Sequence, residues 1–238
     1  MIPLKLTNST IRSFFLIGFS QVLISTRVFG QCELVGQHEI SWSDTSIARL
    51  EMEYGARKRI PENYKAPILL ALSHFPELRN IRVRFRVRHA FSPLTTNRDW
   101  CYYFAHFGLG RRAFVVTISD RTTARLSPIL FSRLDFNARV GVAGHELSHV
   151  SDFLHKNLLG WLGLGLGHLS ARWVDRFEFS TDSLCIAHGL GYNLLAWSCF
   201  VRSALHIPGW EGASKGQLPF NGRERYMNPL TILSRLKQ

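Results

Sequence analysis

Apolar and basic residues alternate along residues 81–88 in the clearest periodic pattern of the chain. The apolar positions are Ile81, Val83, Phe85 and Val87, and the arginines between them are Arg82, Arg84, Arg86 and Arg88. A period of two with one apolar face predicts a half-buried β-strand. The arginine row is typical of a solvated face, and its alternative role is to hold an anionic partner. No motif of nucleic-acid recognition accompanies the row, so we expect no nucleic-acid partner.

Two other segments have the composition of strands, and one has that of a short helix. The segment Ala113–Ser119 is rich in β-branched residues and predicts a strand, and residues 100–104 predict a weaker one. Pro67 suits the first position of a helix over residues 67–75, and Pro76 ends that helix.

Helical periodicity follows these strands. Asn137 is expected to cap a helix over residues 138–154, and another helix is predicted over 171–188. Gly189 breaks this second helix before a further apolar helix over 192–205. Because the strands come first and the helices second, the predicted fold class is α+β, with a small and mostly antiparallel sheet beside a helical half.

Four glycines interrupt the apolar residues of the segment 160–167. Glycine weakens helices, so we expect a mobile apolar connection here. A lid, or a rim that leans on a membrane, is the alternative interpretation.

The amino terminus has the layout of a secretory signal peptide. Lys5 and Arg12 lead into an apolar run over residues 13–25. The run is shorter than the roughly 20 residues of a transmembrane helix. We therefore divide the chain into a signal peptide, residues 1–30, and a single domain, residues 31–238, which is exported to the periplasm, the cell surface or the medium. An uncleaved anchor is the alternative.

Composition agrees with one globular domain. The chain has 238 residues, of which 46% are hydrophobic and 19% charged, which excludes a disordered chain and a small disulfide-stapled module. Lysine and arginine number 29 against 17 acidic residues, a formal charge of +12 that attracts anionic partners. An exported chain can form disulfides, and Cys185 with Cys199 is a candidate pair, with buried free thiols as the alternative.

The predicted helix over 138–154 carries candidate metal ligands in the sequence Gly-His-Glu-Leu-Ser-His. His145 and His149 are four residues apart, so both imidazoles can face one ion. Glu146 follows the first histidine and can reach a water in the open coordination position of that ion. This H-E-x-x-H pattern predicts two zinc ligands and a general base.

A catalytic zinc usually has three protein ligands, and two residues compete for the third place. Glu178 is our predicted ligand, and Asp182, four residues further on, is expected to accept a hydrogen bond from a ligating imidazole. His155 is the alternative, because the spacing His149-x-x-Asp152-x-x-His155 nearly copies a longer zinc motif. Asp152 stands where that motif has the glycine that turns the chain.

These motifs resemble those of the zincin metallopeptidases, and the pairing of H-E-x-x-H with E-x-x-x-D resembles their gluzincin branch. The resemblance implies a small mixed sheet, an active-site helix and a following glutamate helix. It also implies that His145, His149 and Glu178 bind Zn²⁺, that Glu146 is the base and that Asp182 orients a ligand.

The resemblance implies hydrolysis of a peptide or protein substrate. Zinc would polarise the scissile carbonyl and acidify its bound water, and Glu146 would take the proton and pass it to the leaving amine. The developing oxyanion needs a second donor besides the metal, for which His188, Tyr226 and Arg225 are candidates. The strand Ala113–Ser119 is a candidate for binding an extended peptide by strand addition.

Two other functions are kept as alternatives. A basic exported domain without catalytic activity could bind an anionic envelope polymer through its arginine strand and hold zinc only structurally. Glu146 argues against this alternative, because a structural metal site needs no base. A peptidase with His155 as its third ligand is the other alternative.

Overall fold

The computed structural model describes residues 44–105, 112–207 and 224–237. The helices are α1 (Asp44–Tyr54), α2 (Lys65–Ser73), α3 (Trp100–Ala105), α4 (Phe136–Leu154), α5 (Leu158–Gly167), α6 (Ala171–Cys185), α7 (Gly191–Ala204) and α8 (Pro229–Leu236). The strands are β1 (Lys58–Arg59), β2 (Arg82–Arg88), β3 (Leu94–Arg98) and β4 (Ala113–Ser119). The α+β class is confirmed, while the predicted signal peptide lies outside the described residues and stays a prediction.

The strands form one sheet in the order β1-β2-β4-β3. β2 pairs in parallel with both β1 and β4, and β3 pairs antiparallel with β4. The prediction of a mostly antiparallel sheet is therefore wrong, and the sheet is mixed. The cause is the path of the chain: α2 returns it from β1 to the start of β2, as a parallel pair requires. The following strand, β3, then joins the far side of β4.

The alternation along β2 divides its side chains between the two faces of the sheet, as predicted. Phe85 is buried in the core, whereas the arginines lie on the opposite face. Arg84 forms an ion pair of 3.1 Å with Asp99, and Arg86 donates to the hydroxyl of Thr117 at 3.2 Å. Part of the arginine row thus serves contacts within the protein.

Residues 100–104 form helix α3, so the strand predicted there is wrong. Asp99 determines this outcome, because its carboxylate accepts the backbone N–H of Tyr102 at 3.2 Å at the start of the helix. The strand lies directly before it, at Leu94–Arg98, where β-branched and polar residues pair with β4.

Helix α4 begins two residues earlier than predicted. Asp135, and not Asn137, is the N-cap residue, since its carboxylate accepts the backbone N–H of Ala138 at 2.7 Å. A carboxylate at this position also interacts favourably with the positive end of the helix dipole.

Residues 140–151 of α4 are all buried between the sheet and the other helices. Gly141 allows the backbone of α7 to approach closely, because a Cβ there would lie only 2.1 Å from the carbonyl oxygen of Asn193. This close packing makes α4 the central element on which the candidate site is built.

The glycine-rich segment 160–167, which we expected to be a mobile apolar connection, lies within helix α5. The Asn157 side chain caps the helix by accepting the N–H of Gly160 at 2.9 Å. Trp161 packs on Phe153 of α4, with ring centroids 4.7 Å apart. Capping and this apolar contact compensate for the low helix propensity of glycine.

Helix α6 ends at Cys185, and a wide turn over Ile186–Leu190 joins it to α7. Gly189 has a φ of 82°, a left-handed conformation that glycine adopts without steric cost, so the predicted break is confirmed. Cys185 is a free and fully buried thiol, which excludes its bridge to Cys199.

The stretch Ala171–Ala204 is apolar and long enough to cross a membrane by length and composition, with a mean hydropathy of 1.4 in its most apolar window. Of that window, 44% is buried inside the protein. The core helix of a soluble protein meets the same criteria, and α7 packs on α4.

Candidate metal centre

Three side chains from two helices converge beside the sheet. His145 and His149 project from the same face of α4, and Glu178 projects toward them from α6. The Nε2 atom of His145 lies 3.1 Å from Oε2 of Glu178, and Nε2 of His149 lies 3.3 Å from the same oxygen. One ligand atom from each residue lies within 4.8 Å of the other two. The structure therefore brings together the three residues predicted as ligands.

The two separations from Glu178 match those between ligands of a tetrahedral metal ion. Zinc ligands at the usual distances of about 2.0–2.2 Å from the ion lie roughly 3.3 Å from one another. The distances from the shared Glu178 oxygen to His145 and His149 are 3.1 and 3.3 Å. The group can therefore hold a metal ion, and three protein ligands leave one tetrahedral position for a water or a substrate.

Asp182 contacts the ring nitrogen of His145 that does not face Glu178. The Nδ1 atom of His145 lies 2.8 Å from Oδ1 of Asp182, and Oδ2 of Asp182 accepts the backbone N–H of Met227 at 2.7 Å. When Nδ1–H of His145 donates to this carboxylate, Nε2 is left free to face a metal. The predicted orienting role of Asp182 agrees with this contact.

The electrostatics of the group are those of a cation site. Burial disfavours the charged form of His145, but hydrogen bonds to Asp182 and Glu178 outweigh it and raise the pKa of His145 well above its usual value. Burial would raise the pKa of Glu178, but hydrogen bonds from His145 and His149 outweigh it and hold that pKa well below its usual range. Protons and a metal ion therefore compete for the same cluster of negative charge.

Replacing Asp182 by asparagine is expected to weaken zinc binding by about 10–100-fold, the usual effect of losing a partner that orients a ligating histidine. The amide keeps the shape of the carboxylate but removes its charge from His145, which it contacts at 2.8 Å. Competition titration with a zinc-binding dye measures the change. Asp152→Asn is the matched control, because Asp152 pairs with Lys156 outside the group. Equal affinities for the two variants would contradict the orienting role.

Aromatic side chains cover the second histidine. His149 stacks on Phe177 and Phe153, with ring centroids 5.0 and 5.8 Å away. Its Nδ1 atom lies 3.3 Å from the hydroxyl of Thr181. An apolar wall of this kind excludes water from one side of the ligands and strengthens electrostatic interactions within the site.

Thr96 is the partner of the predicted base. Its hydroxyl donates to Oε2 of Glu146 at 2.6 Å and lies 3.2 Å from the backbone carbonyl oxygen of the same residue. Thr96 is opposite Val116 in the register of β3 with β4, so it faces α4. The sequence analysis did not identify Thr96. The only sequence feature at this position is the pair of β-branched threonines, Thr95 and Thr96, that follows Leu94.

Tyr226 lies at the site, as one of the predicted donors should. Its ring centroid is 5.6 Å from that of His145. Burial, and then the negative charges of Glu178, Glu146 and Asp182, raise the pKa of Tyr226. The phenol therefore stays protonated and can donate a hydrogen bond.

The other two candidate donors contact residues elsewhere. His188 stacks on Phe75 at 4.1 Å, and its Nε2 atom lies 3.1 Å from Oε1 of Glu77. Arg225 donates from Nε to Asp175 at 2.8 Å. These contacts engage both side chains in the packing of the fold.

His155 is the C-cap residue of α4 and is exposed. Helix α4 continues to Leu154 without the sharp turn that a third histidine would need to return to the metal. In the part of the chain that the structure describes, the group that could hold a metal comprises His145, His149 and Glu178.

The strand nearest the site is β3, which corrects the expectation for Ala113–Ser119. That strand, β4, pairs on both sides and is buried throughout, so it has no edge to offer a peptide. β3 forms the end of the sheet, and no described strand pairs with its outer edge.

Comparison of the chain with protein-family models, with curated proteins and with solved structures finds no match.

Proposed function

We propose that this protein is a zinc-dependent metallopeptidase with a zincin-like site, exported after removal of its signal peptide. The observation that carries the proposal is the convergence of His145, His149 and Glu178, with Glu146 directly after His145 on α4. Three protein ligands with a carboxylate next to the open position are what a hydrolytic metal site requires.

The chemistry of the donors favours zinc as the metal. Two neutral imidazoles and one carboxylate are the ligand set of many catalytic zinc sites. Magnesium and calcium prefer oxygen ligands in larger number, and the group offers two nitrogens among its three donors.

Each residue has a defined task in the proposed reaction. When held by the three ligands, zinc would supply Lewis-acid polarisation of the scissile carbonyl and would lower the pKa of the attacking water. Glu146 accepts the proton of that water and delivers it to the leaving amine, while Thr96 holds its carboxylate through a bond of 2.6 Å. The protonated phenol of Tyr226 donates to the developing oxyanion. Asp182 keeps His145 oriented.

The open edge of β3 supports a peptide substrate. An extended peptide can pair with such an edge through backbone hydrogen bonds, which place it beside the sheet in a defined register. Thr96 belongs to β3 and contacts Glu146, so a peptide on this edge would lie next to the base. This arrangement also supports the zincin-like assignment, in which a mixed sheet lies against the active-site helix.

The contacts of the arginine row give less support to the alternative function, a protein that binds an anionic polymer without catalysis. Arg84 and Arg86 are partly engaged with Asp99 and Thr117, which reduces what the arginine row can offer to an anionic polymer. If the metal were only structural, Glu146 would have no role as a general base.

Removing the metal is expected to abolish peptide cleavage, and adding zinc back should restore it. The purified full chain should contain about one zinc ion per molecule by elemental analysis. Cleavage of a peptide library, followed by mass spectrometry before and after treatment with a chelator, provides the readout. Cleavage that survives complete metal removal would contradict the proposal, as would a zinc-loaded protein that cleaves no peptide.

A further inference from the structure

Helix α5 presents an apolar surface to the outside. Three leucines on the helix and one just after it have exposed fractions of 74%, 58%, 69% and 85%: Leu159, Leu162, Leu166 and Leu169. We call these four residues the leucine face. Soluble proteins rarely expose large aliphatic side chains in such a group, and a contiguous patch of this kind usually marks an interaction site.

The opposite side of α5 is apolar as well. Leu164 is buried, and Trp161 packs on Phe153 at 4.7 Å. At 3.6 residues per turn, Leu159, Leu162 and Leu166 share one side of the helix and Leu164 lies away from them. An ordinary surface helix carries polar residues on its outer side. The leucine face is therefore not explained by packing within the described chain.

The segment between Asp152 and Asp175, which contains α5, has no acidic residue. Arg172 follows α5 in the sequence, whereas Lys156 before the helix forms an ion pair with Asp152. The guanidinium of Arg98 lies 5.8 Å from the ring of Trp161. An apolar face bordered by basic residues complements the interface of an anionic lipid membrane.

The length of α5 limits how it can meet a membrane. Its 10 residues extend about 15 Å at about 1.5 Å per residue, which is half the thickness of a hydrocarbon core of roughly 30 Å. The helix can lie in the interface with its leucines among the acyl chains, but it cannot span the bilayer.

We propose that the leucine face docks the protein on an anionic membrane surface. Trp161 of α5 packs on Phe153, whose ring is 5.8 Å from that of the ligand His149. Docking therefore holds the metal group close to the lipid surface. The substrate class that follows, a peptide segment at a membrane surface, rests on the proposed peptidase function, whereas the docking itself does not.

Vesicle flotation with the exported protein, after removal of the predicted signal peptide, tests the docking. The vesicles contain phosphatidylcholine alone, or phosphatidylcholine and phosphatidylglycerol in equal amounts. Wild type is expected to float with the anionic vesicles. The double variant Leu162→Gln/Leu166→Gln should lose about 100-fold in partitioning, because two aliphatic side chains no longer enter the bilayer. Arg172→Gln should lose about five-fold, and high salt should remove that difference.

The matched control is Met52→Gln, which changes an equally exposed apolar side chain, 80% accessible, on α1. This variant should float like wild type. Zinc content and circular dichroism should be the same in all variants. If the double variant folds poorly, the single variant Leu166→Gln, on a side chain that is 69% exposed, provides the test with an expected loss of about 10-fold.

Equal flotation of wild type and the leucine variants would overturn the inference, since binding would then come from another segment. A dimer in sedimentation that dissociates in the double variant, without vesicle binding, would also overturn it and assign the face to a second copy of the chain. The two proposals fail separately: cleavage of a soluble peptide tests the peptidase, and flotation tests the docking.

Discussion

Glu178→Ala is expected to abolish tight zinc binding, whereas His155→Ala should leave it unchanged. Glu178 supplies the oxygen that both histidine nitrogens approach, at 3.1 and 3.3 Å. Its loss leaves two ligands on one helix, and the decrease in affinity should exceed the about 10–100-fold seen when only an orienting residue is lost. His155 is exposed beyond the end of α4 and contributes no donor to the group.

A zinc titration followed by competition with a dye measures both affinities, and circular dichroism establishes that each variant is folded. Glu77→Ala is a further control for removal of a carboxylate, since Glu77 contacts His188 and Ser151 outside the group. If His155→Ala lost zinc and Glu178→Ala kept it, the protein would belong with peptidases that use three histidines.

Glu146→Gln is expected to lower the rate of peptide cleavage by about 100- to 10,000-fold, the range that general acid–base catalysis contributes. Zinc content should stay at the wild-type level, because Glu146 is not one of the three ligands. The amide can still accept the hydrogen bond from Thr96 but cannot take a proton from water. The variant therefore separates the chemical step from metal binding.

Glu77→Gln makes the same chemical change outside the site and should retain full activity. The decisive comparison uses the peptide library with wild type and both variants at equal zinc loading. Identical cleavage by wild type and Glu146→Gln would remove Glu146 from the mechanism. Zinc binding without cleavage in all three would favour a binding protein.

The sequence predicted the elements that have a β-branched composition or a regular hydrophobic period. The strand Ala113–Ser119 has the predicted bounds, and helix α4 covers the predicted range with two residues added at its start. These segments lie in the core, so hydrophobic periodicity and burial favour the same structure.

Local capping decided the structure where the pattern was weak. Aromatic residues at 100–104 have strand propensity, but Asp99 caps them as a helix at 3.2 Å from the N–H of Tyr102. In α5, capping by Asn157 and the packing of Trp161 stabilise a helix in a segment whose glycines predicted a mobile connection. Tertiary contacts of this kind leave no periodic signal in a sequence.

The residues of the candidate site also fall into two groups, those that local spacing predicted and one that it did not. Spacing on one helix predicted His145, Glu146 and His149, and spacing on another predicted Glu178 with Asp182. Thr96 is 50 residues from Glu146 in sequence, and their contact depends on where β3 joins the sheet. No local pattern could show this contact, because it joins two residues that are distant in the sequence.

The glycines of α5 give this helix a low local stability. A Cβ at Gly163 or Gly165 would meet no other atom within 4 Å, so neither position needs glycine for packing. Each glycine costs the helix about 1 kcal/mol relative to alanine. Amide hydrogens of α5 should therefore exchange with solvent through local opening, well before those of the buried helix α4. The leucine face is thus carried on a segment that can unfold and refold while the metal ligands stay in place.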